Sequence, residues 1–573
     1  MRKIFQIGSD YLYGLNTKQA DAANHLYGPA LVLAGPGSGK TSVITARAVS
    51  LIEKRRVKPC RLLTVTFSRA AAEEMRKRYI KKVGEERITD SDVPEYCTLH
   101  SFCLKSIKYC KAYGEHERKI LCGSAEKHKL ISDIWNRINA SENNILTFEY
   151  LELISNTISK IKCFSGTEKE ADLRKDIQIR NFDEIFYEYE KYKQEKYLID
   201  FDDMLSETAL YLAEDKMFKA LISEKYDFVQ VDEGQDLSYL QIEIIKSVGS
   251  HGNVFMVADD DQGIYGFRGA DVKSLKRYEE AFCGCKRYYL EQNYRSCGEI
   301  VSTASSFIRK NSDRYEKNIF TLNSAGEKIE LIRTRDIVSQ ARFAAEIALA
   351  NSAAGLTCGI LYRKNMSALM PLLLLYELSR RNGIKASFCI SGDFIHPCGY
   401  EIVKEYLEKI LQHERHSRFI CKSPSDIFRD MERCGKIDEY RNLCALKGQS
   451  AKETEYILSF TKVMGKTLKK YGQITEFLEQ IRTNESESNI FFSTVHSSKG
   501  LEYDCVVIID ASEDEFPKRT AVDNEEIEEE RRLFYVAMTR AKKKLYIVTP
   551  DKCGRIKCSP GIFFCETASV INA

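Results

Sequence analysis

The stretch Ala34-Gly35-Pro36-Gly37-Ser38-Gly39-Lys40-Thr41 follows the apolar run Leu31-Val32-Leu33 and leads into the helix-like segment Ser42 to Leu51. A strand that ends in open, Gly-rich backbone and turns directly into a helix aims unhindered N–H groups at one point, the helix N-terminus, where an anion binds. Gly35, Gly37 and Gly39 keep that backbone accessible, Lys40 adds a point charge suited to β- and γ-phosphates, and Thr41 adds a hydroxyl ligand for Mg²⁺. Such a loop belongs at the C-terminal edge of a parallel α/β sheet, where these sheets place their ligands.

The strand-to-helix pattern recurs. Arg61 to Phe67 reads as a buried strand that breaks at Ser68 into the strongly helical AAAEEMRKR, and Thr98-Leu99-His100-Ser101-Phe102 repeats it. Tyr226 to Val231 delivers Asp232 and Glu233 at a strand end; Asp232 is placed to hold Mg²⁺, and Glu233 to orient or deprotonate an attacking water. Another buried run, Val254 to Ala258, ends in Asp259-Asp260-Asp261-Gln262, from which Gln262 would sense a γ-phosphate. Beyond it stand Tyr265 and Phe267, whose rings either stack on bases or pack into the core. Upstream, Asn16 or Thr17 caps a helix with Gln19 in its first turn, and a side-chain amide suits an adenine edge. Asp200, Asp202 and Asp203 alternate with apolar residues at helical spacing and read as a helix start rather than a metal site.

Composition narrows the class. A chain of 573 residues exceeds one core and divides into several domains. Lys and Arg total 86 against 83 for Asp and Glu, so the net charge of +3 offers no bulk attraction to polyanions, and any nucleic-acid surface must be a local groove. The 19 Cys, with no signal peptide before them, read as reduced cytosolic thiols, and Cys553, Cys558 and Cys565 lack a fourth partner for a metal. The apolar stretch Leu369 to Leu378 is far shorter than the ~20 residues that span a bilayer and reads as a packed helix. The expected location is cytoplasmic, nucleoid-associated if prokaryotic, with no membrane partner.

Taken in order, LNTKQADAA, AGPGSGKT, TFSRAAAEEM, TLHSFC, DFDDML, VDEGQD, ADDDQGIYGFRGA, LEQNYRS, ILYRKN, STVHSSKGLEY and EEERRLFYVAMTRAKKKLYIV resemble the UvrD/Rep/PcrA family of superfamily 1 DNA helicases, nearly end to end. The resemblance implies ATP and Mg²⁺ as cofactors and a catalytic set of Lys40, Glu233, Gln262, Arg295 and Arg540. It assigns Gln19 to adenine recognition, the Tyr294 ring to stacking on adenine, Glu502 to the ribose, and Arg295 and Arg540 to the γ-phosphate. It places Thr66, Phe67, His100, Tyr265, Phe267, Arg268, Arg363, Thr494 and His496 at or beside single-stranded DNA. Departures from the family pattern are Ser42 for a frequent Arg, Gly263 for Ser and Phe267 for Trp, together with a much shortened second insertion that has no Gly-Ile-Gly-type turn.

The resemblance also implies an architecture of two RecA-like α/β motor domains, each with a mainly helical insertion. Residues 1–103 and 201–286 would form the first motor domain, 104–200 its insertion, 287–400 and 489–573 the second motor domain, and 401–488 a shortened second insertion. ATP would lie in the cleft and drive 3′→5′ movement on single-stranded DNA and at single-strand/duplex junctions. The setting would be repair, replication or recombination, with proteins of those pathways as partners and a monomer or weak dimer as the working form. The short second insertion keeps another expectation open, an ATP-switched remodeller that displaces proteins from DNA without efficient unwinding.

Overall fold

The computed structural model describes residues 12–84, 89–109, 118–121, 123–139, 146, 148–165, 167–266, 270, 273–383, 387–391, 394–416, 422–483 and 488–572. The chain divides into two units, Met1–Asn293 with Arg314–Asn318, and Tyr294–Asp313 with Ile319–Ala573. It therefore crosses from one to the other at three points in sequence.

In the first unit, helix α1 (Thr17–Ala23) opens on a capping box in which the side chains of Asn16 and Gln19 each accept from the other's backbone N–H. Strand β1 (Ala30–Ala34) feeds α2 (Lys40–Val49), β2 (Leu62–Thr66) feeds α3 (Arg69–Val83), and β3 (Glu95–Thr98) feeds α4 (Leu99–Tyr109). Then come β4 (Lys119–Ile120), the helices α5 (Gly123–Ile138), α6 (Phe148–Cys163), α7 (Glu168–Lys175) and α8 (Phe182–Glu195), and β5 (Leu198–Ile199), which pairs with β4. The unit continues through α9 (Phe201–Glu214), α10 (Lys216–Ser223), β6 (Phe228–Val231), α11 (Tyr239–Val248), β7 (Val254–Ala258), α12 (Ser274–Ala281) and β8 (Lys286–Leu290).

Among the described residues the order β3-β2-β6-β7-β1-β8 makes one six-stranded sheet, parallel throughout. Both faces are covered: Leu31 and Leu33 pack with Ile242 and Ile245 on one side, while Ala30, Val32 and Ala34 pack with Val43 and Ile44 on the other. Double coverage is why the strands read as continuous apolar runs rather than alternating ones. Two polar interruptions satisfy each other, since Gln230 Nε2 donates to Thr64 Oγ1 at 2.9 Å and Gln230 Oε1 accepts from buried Arg47 at 3.1 Å.

Helices α5 to α8 have a core of their own, built on Ile131, Trp135, Ile154, Ile158, Ile185 and Tyr189. Part of its tie to the rest of the unit is ionic, beside the ring stack of Phe164 on Tyr239. Asp200 caps α9 in a capping box with Asp203, and the two acids close around the buried ammonium groups of Lys162 and Lys193, the latter at 2.9 and 2.7 Å. The acids thus act as a helix start, and lysines fill the space between them. The expected boundary at 103/104 falls inside α4, whose Phe102, Cys103 and Ile107 belong to the core of the sheet. Likewise the boundary at 286/287 would cut β8, which pairs with β1 from Ala30↔Lys286 to Ala34↔Leu290; the first unit runs on to Asn293.

The second unit holds α13 (Gly298–Ile308), β9 (Glu330–Thr334), α14 (Ile337–Ala353), β10 (Cys358–Tyr362), α15 (Leu369–Arg381) and β11 (Cys389–Ser391). The helices α16 (Glu401–His416), α17 (Pro424–Arg433), α18 (Lys436–Leu446), α19 (Ala451–Thr467) and α20 (Tyr471–Thr483) follow, then β12 (Ile490–Thr494), β13 (Tyr503–Ile508), α21 (Asn524–Met538), β14 (Ala541–Pro550) and α22 (Ile562–Ile571). Its strands form a second parallel sheet of six described members, in the order β9-β14-β13-β10-β12-β11. Helix α15 is the apolar LMPLLLL run, buried against this sheet. Helices α16 to α20 differ from α5 to α8 in having no separate core: Tyr406, Phe460, Met464 and Phe477 belong to the same apolar cluster as Ile360, Leu372 and Phe492. Tyr456 Oη also donates to Ser367 O at 2.8 Å. Among the described residues no helix is long and apolar enough to cross a membrane.

Candidate active site

The loop between β1 and α2 is framed from outside. Gly35 N–H donates to Leu290 O (2.9 Å), Ser38 Oγ to Gly35 O (2.7 Å), Asn293 Nδ2 to Pro36 O (2.7 Å) and Gln19 Nε2 to Ser38 O (2.8 Å). Loop carbonyls are thereby held by the protein, and the first-turn N–H groups of α2 remain as the anion-facing set. Gly39 starts α2 at φ 82°, and a Cβ there would meet Gln19 Nε2 at 2.6 Å, so this position demands glycine. Gln19 is 3 % exposed. It is a brace between the capping box and the phosphate loop, not a surface glutamine.

Behind the loop the reactive side chains converge on Asp259. Lys40 Nζ lies 3.9 Å from Asp259 Oδ2, and Gln262 Nε2 donates to the same oxygen at 2.6 Å. The Asp259 N–H donates to Gln235 Oε1 at 2.9 Å, and Gln235 Nε2 reaches Glu233 Oε2 at 2.5 Å. Glu233 itself sits in the left-handed region at φ 54°. A non-glycine residue there costs ~1–3 kcal/mol of strain, which in many proteins accompanies a functional position. Asp232, at the tip of β6, is buried and donates its N–H to Val65 O at 2.9 Å.

The other side of the acid triplet is closed by cations from residues 314–318. Lys317 Nζ, fully buried, donates to Asp259 Oδ1 (2.7 Å) and Asp260 Oδ1 (2.6 Å) and lies 3.0 Å from Asp261 Oδ2. Arg314 forks onto Asp261 at 2.9 and 2.8 Å, and Tyr315 N–H donates to Asp260 Oδ2 at 2.7 Å. Burial alone would lower the Lys317 pKa, yet the three carboxylates raise it well above its ordinary value. Asp261 is held below the usual carboxylate range against its burial by Lys317 and Arg314, whereas burial pushes Asp260 up.

At the same edge of the first sheet, Phe67 follows β2 and remains 42 % exposed, with the Tyr265 ring stacked on it at 4.7 Å and 19°. Thr66 is buried and turns its hydroxyl back to Ser68 O at 2.9 Å; its strand partner is Thr98, next to the start of α4. His100 packs edge-on against Phe201 at 5.7 Å, and burial, partly offset by Asp202, lowers its pKa, which keeps the ring neutral at pH 7. Phe267 and Arg268 lie outside the described residues.

Within the second unit a matching edge gathers Arg363, Thr494 and His496. β10 and β12 are paired in register, Tyr362↔Thr494, so the residues after each strand are neighbours. Arg363 Nη1 lies 3.3 Å from His496 Nδ1, and its Nη2 donates to Glu530 Oε1 at 2.9 Å. Thr494 Oγ1 accepts from Ser497 N–H at 3.2 Å and so closes the turn. A second group in this unit joins Arg295, Glu502 and Arg540. Arg295 Nε donates to Glu502 Oε2 (2.8 Å) and its Nη1 to Thr539 O (3.1 Å), and Lys542 pairs with Glu502 at 2.7 Å. Arg540 is 1 % exposed and donates to Val536 O, Leu501 O and Thr539 Oγ1 at 3.0, 3.2 and 3.3 Å. Tyr294 is 45 % exposed.

Residues 15–283 match the family described as the UvrD/REP helicase N-terminal domain, and segments 288–382 and 373–552 match the UvrD-like helicase C-terminal domain. The chain belongs to the UvrD/Rep helicase family. It is 26 % identical over 614 residues to the ATP-dependent DNA helicase PcrA of Staphylococcus epidermidis and 27 % identical over 618 residues to that of Staphylococcus aureus. Each alignment covers 93 % of this chain and 83 % of the relative. As a UvrD/Rep helicase, the chain is an ATP-hydrolysing DNA helicase with two RecA-like α/β domains, one parallel sheet in each unit.

In this UvrD/Rep helicase the loop, Gln262 and Glu233 are held by residues that the sequence analysis did not assign as site residues. Asp259 and Gln235 stand inside ADDDQGIYGFRGA and VDEGQD, but Lys317 has no motif signature: it lies 58 positions from Asp259, in a charged stretch that resembles solvated surface. Asn293 had a usable signal, since it stands inside LEQNYRS directly before Tyr294.

Proposed function

We propose that this helicase uses ATP to move 3′→5′ along single-stranded DNA and to open duplex at a single-strand/duplex junction. The observation that carries the reading is the convergence of Lys40, Gln262 and, through Gln235, Glu233 on Asp259, directly behind a phosphate loop. The ring pair Phe67–Tyr265 stands at the C-terminal edge of the same sheet. On this reading Lys40 and the α2 N-terminus bind the β- and γ-phosphates, Glu233 orients and deprotonates water, and Gln262 exchanges its bond to Asp259 for one to the γ-phosphate. Arg295 and Arg540 supply guanidinium groups to the charge that develops on the phosphoryl oxygens, Glu502 meets the ribose, and Gln19 and Tyr294 meet the base.

Mg²⁺ fits the donor set, since the Thr41 hydroxyl and the Asp232 carboxylate are the hard oxygen ligands it prefers. When bound it would neutralise charge between the β- and γ-phosphates. Domain roles follow the sheets, with α5 to α8 as an insertion on the first motor domain and α16 to α20 as a compact insertion fused to the second.

Two assays test this reading. Strand displacement is expected on a 3′-tailed duplex and not on a 5′-tailed one; ATP turnover without strand separation on either would favour a remodeller of protein–DNA complexes. Phe67→Ala, which removes the exposed half of the ring pair, should weaken binding to an oligothymidine strand by ~1–3 kcal/mol, the range for one stacked base. Unchanged affinity measured by fluorescence anisotropy would return the pair to a packing role.

A further inference from the structure

Three consecutive carboxylates border a pocket proposed for a highly charged anion, and two cations from a five-residue return of the chain neutralise them. The two oxygens of Asp259 have different partners: Oδ1 accepts from Lys317, while Oδ2 accepts from Gln262 and faces Lys40. A charge-assisted N–H···O bond closes to ~2.7–2.9 Å. The Lys317 bond, at 2.7 Å, has that length, and the Lys40 approach, at 3.9 Å, does not. Lys40 is thus near the acid without being captured by it.

We infer that Lys317 is a positioning residue for ATP binding: by holding Asp259 Oδ1 it fixes the carboxylate and satisfies its charge, so that Lys40 stays available to the triphosphate. The inference rests on the reading that Lys40 meets the β- and γ-phosphates. Without Lys317, the nearest cation to Asp259 is Lys40, and the pair tightens. A nucleotide must then break an ion pair before it gains Lys40. Gln262, bonded to the same carboxylate, loses its fixed starting position as well.

The test measures affinity for the fluorescent analogue mant-ATPγS, with Mg²⁺ present, in the full chain. Lys317→Met removes the charge but leaves three buried acids short of a cation, so it is paired with the charge-balanced Lys317→Met/Asp260→Asn, a neutral replacement of the kind buried ion pairs tolerate. Thermal melting reports the fold of each. Both are expected to bind about tenfold more weakly, the scale of one partly buried ion pair. In a Lys40→Ala background the same double substitution should cost no more than about twofold further, because there is no ammonium left to capture. Parent-like affinity in a variant that melts as the parent does would overturn the inference. So would an undiminished tenfold loss in the Lys40→Ala background, which would make Lys317 a fold anchor only. Parent-like affinity in Lys40→Ala alone would instead remove the pocket assignment on which the inference stands.

Discussion

Lys40→Ala is expected to bring ATP turnover to background, a drop of at least ~10³-fold, with or without single-stranded DNA. The Lys40 side chain is only 13 % exposed and stands beside a loop whose Gly35, Pro36 and Ser38 carbonyls are turned to other partners. A point charge in such a water-poor place acts on the developing phosphoryl charge far more strongly than it would in water; loss of a single neutral donor at comparable sites already costs ~10²–10³ in rate. The substitution also leaves Asp259 facing the nucleotide with one cation fewer. Because the Lys40 side chain has no hydrogen bond among the described residues beyond its approach to Asp259, thermal stability should change little, which separates loss of chemistry from loss of structure. Phosphate-release kinetics give the answer, and full turnover would refute the site.

Arg540→Ala should leave nucleotide binding largely intact while hydrolysis falls at least ~10²-fold, the low side of what a guanidinium finger contributes. The structure adds a complication that the motif AMTRAKKK did not announce. Arg540 is buried and donates to two carbonyls and a hydroxyl of its own unit, so truncation also removes the bond to Leu501 O, whereas Val536 O still accepts from Thr539 Oγ1 at 3.0 Å. Arg540→Lys discriminates, since it keeps the charge and loses the fork. If catalysis depends on the planar fork, both variants lose kcat and only the alanine variant loses appreciable stability. An unchanged kcat in a folded Arg540→Ala enzyme would rule the role out. Arg295 provides the companion case, because its removal frees Glu502 from an ion pair that, with Lys542, holds the acid below its usual range despite burial.

The two groups of helices outside the sheets differ in how they are held. Helices α5 to α8 enclose their own core and are tied to α9 through the Asp200–Asp203–lysine cluster. Helices α16 to α20 share one apolar cluster with the second sheet and are fixed to it by bonds such as Tyr456–Ser367. Helices that share the core of the second sheet are expected to move with that sheet.

What the sequence determined by itself is the chemistry carried by strand ends. β1, β2, β6 and β7 are short runs buried on both faces, and each passes straight into residues of the proposed site: the Gly-rich loop, Phe67, Asp232 with Glu233, and Asp259 to Gln262. Local rules suffice there, because a parallel sheet puts every strand's C-terminal end on one edge. Tertiary structure alone decided which acid carries which cation. That Lys317 reaches Asp259, that Gln19 braces Ser38, that β8 closes the first sheet and that Arg540 is anchored by Val536 and Leu501 are all contacts between distant or unpatterned residues. A charged side chain in a polar stretch looks the same in sequence whether it ends in water or in a buried cluster; only its burial, and the partners that burial compels it to take, tells them apart.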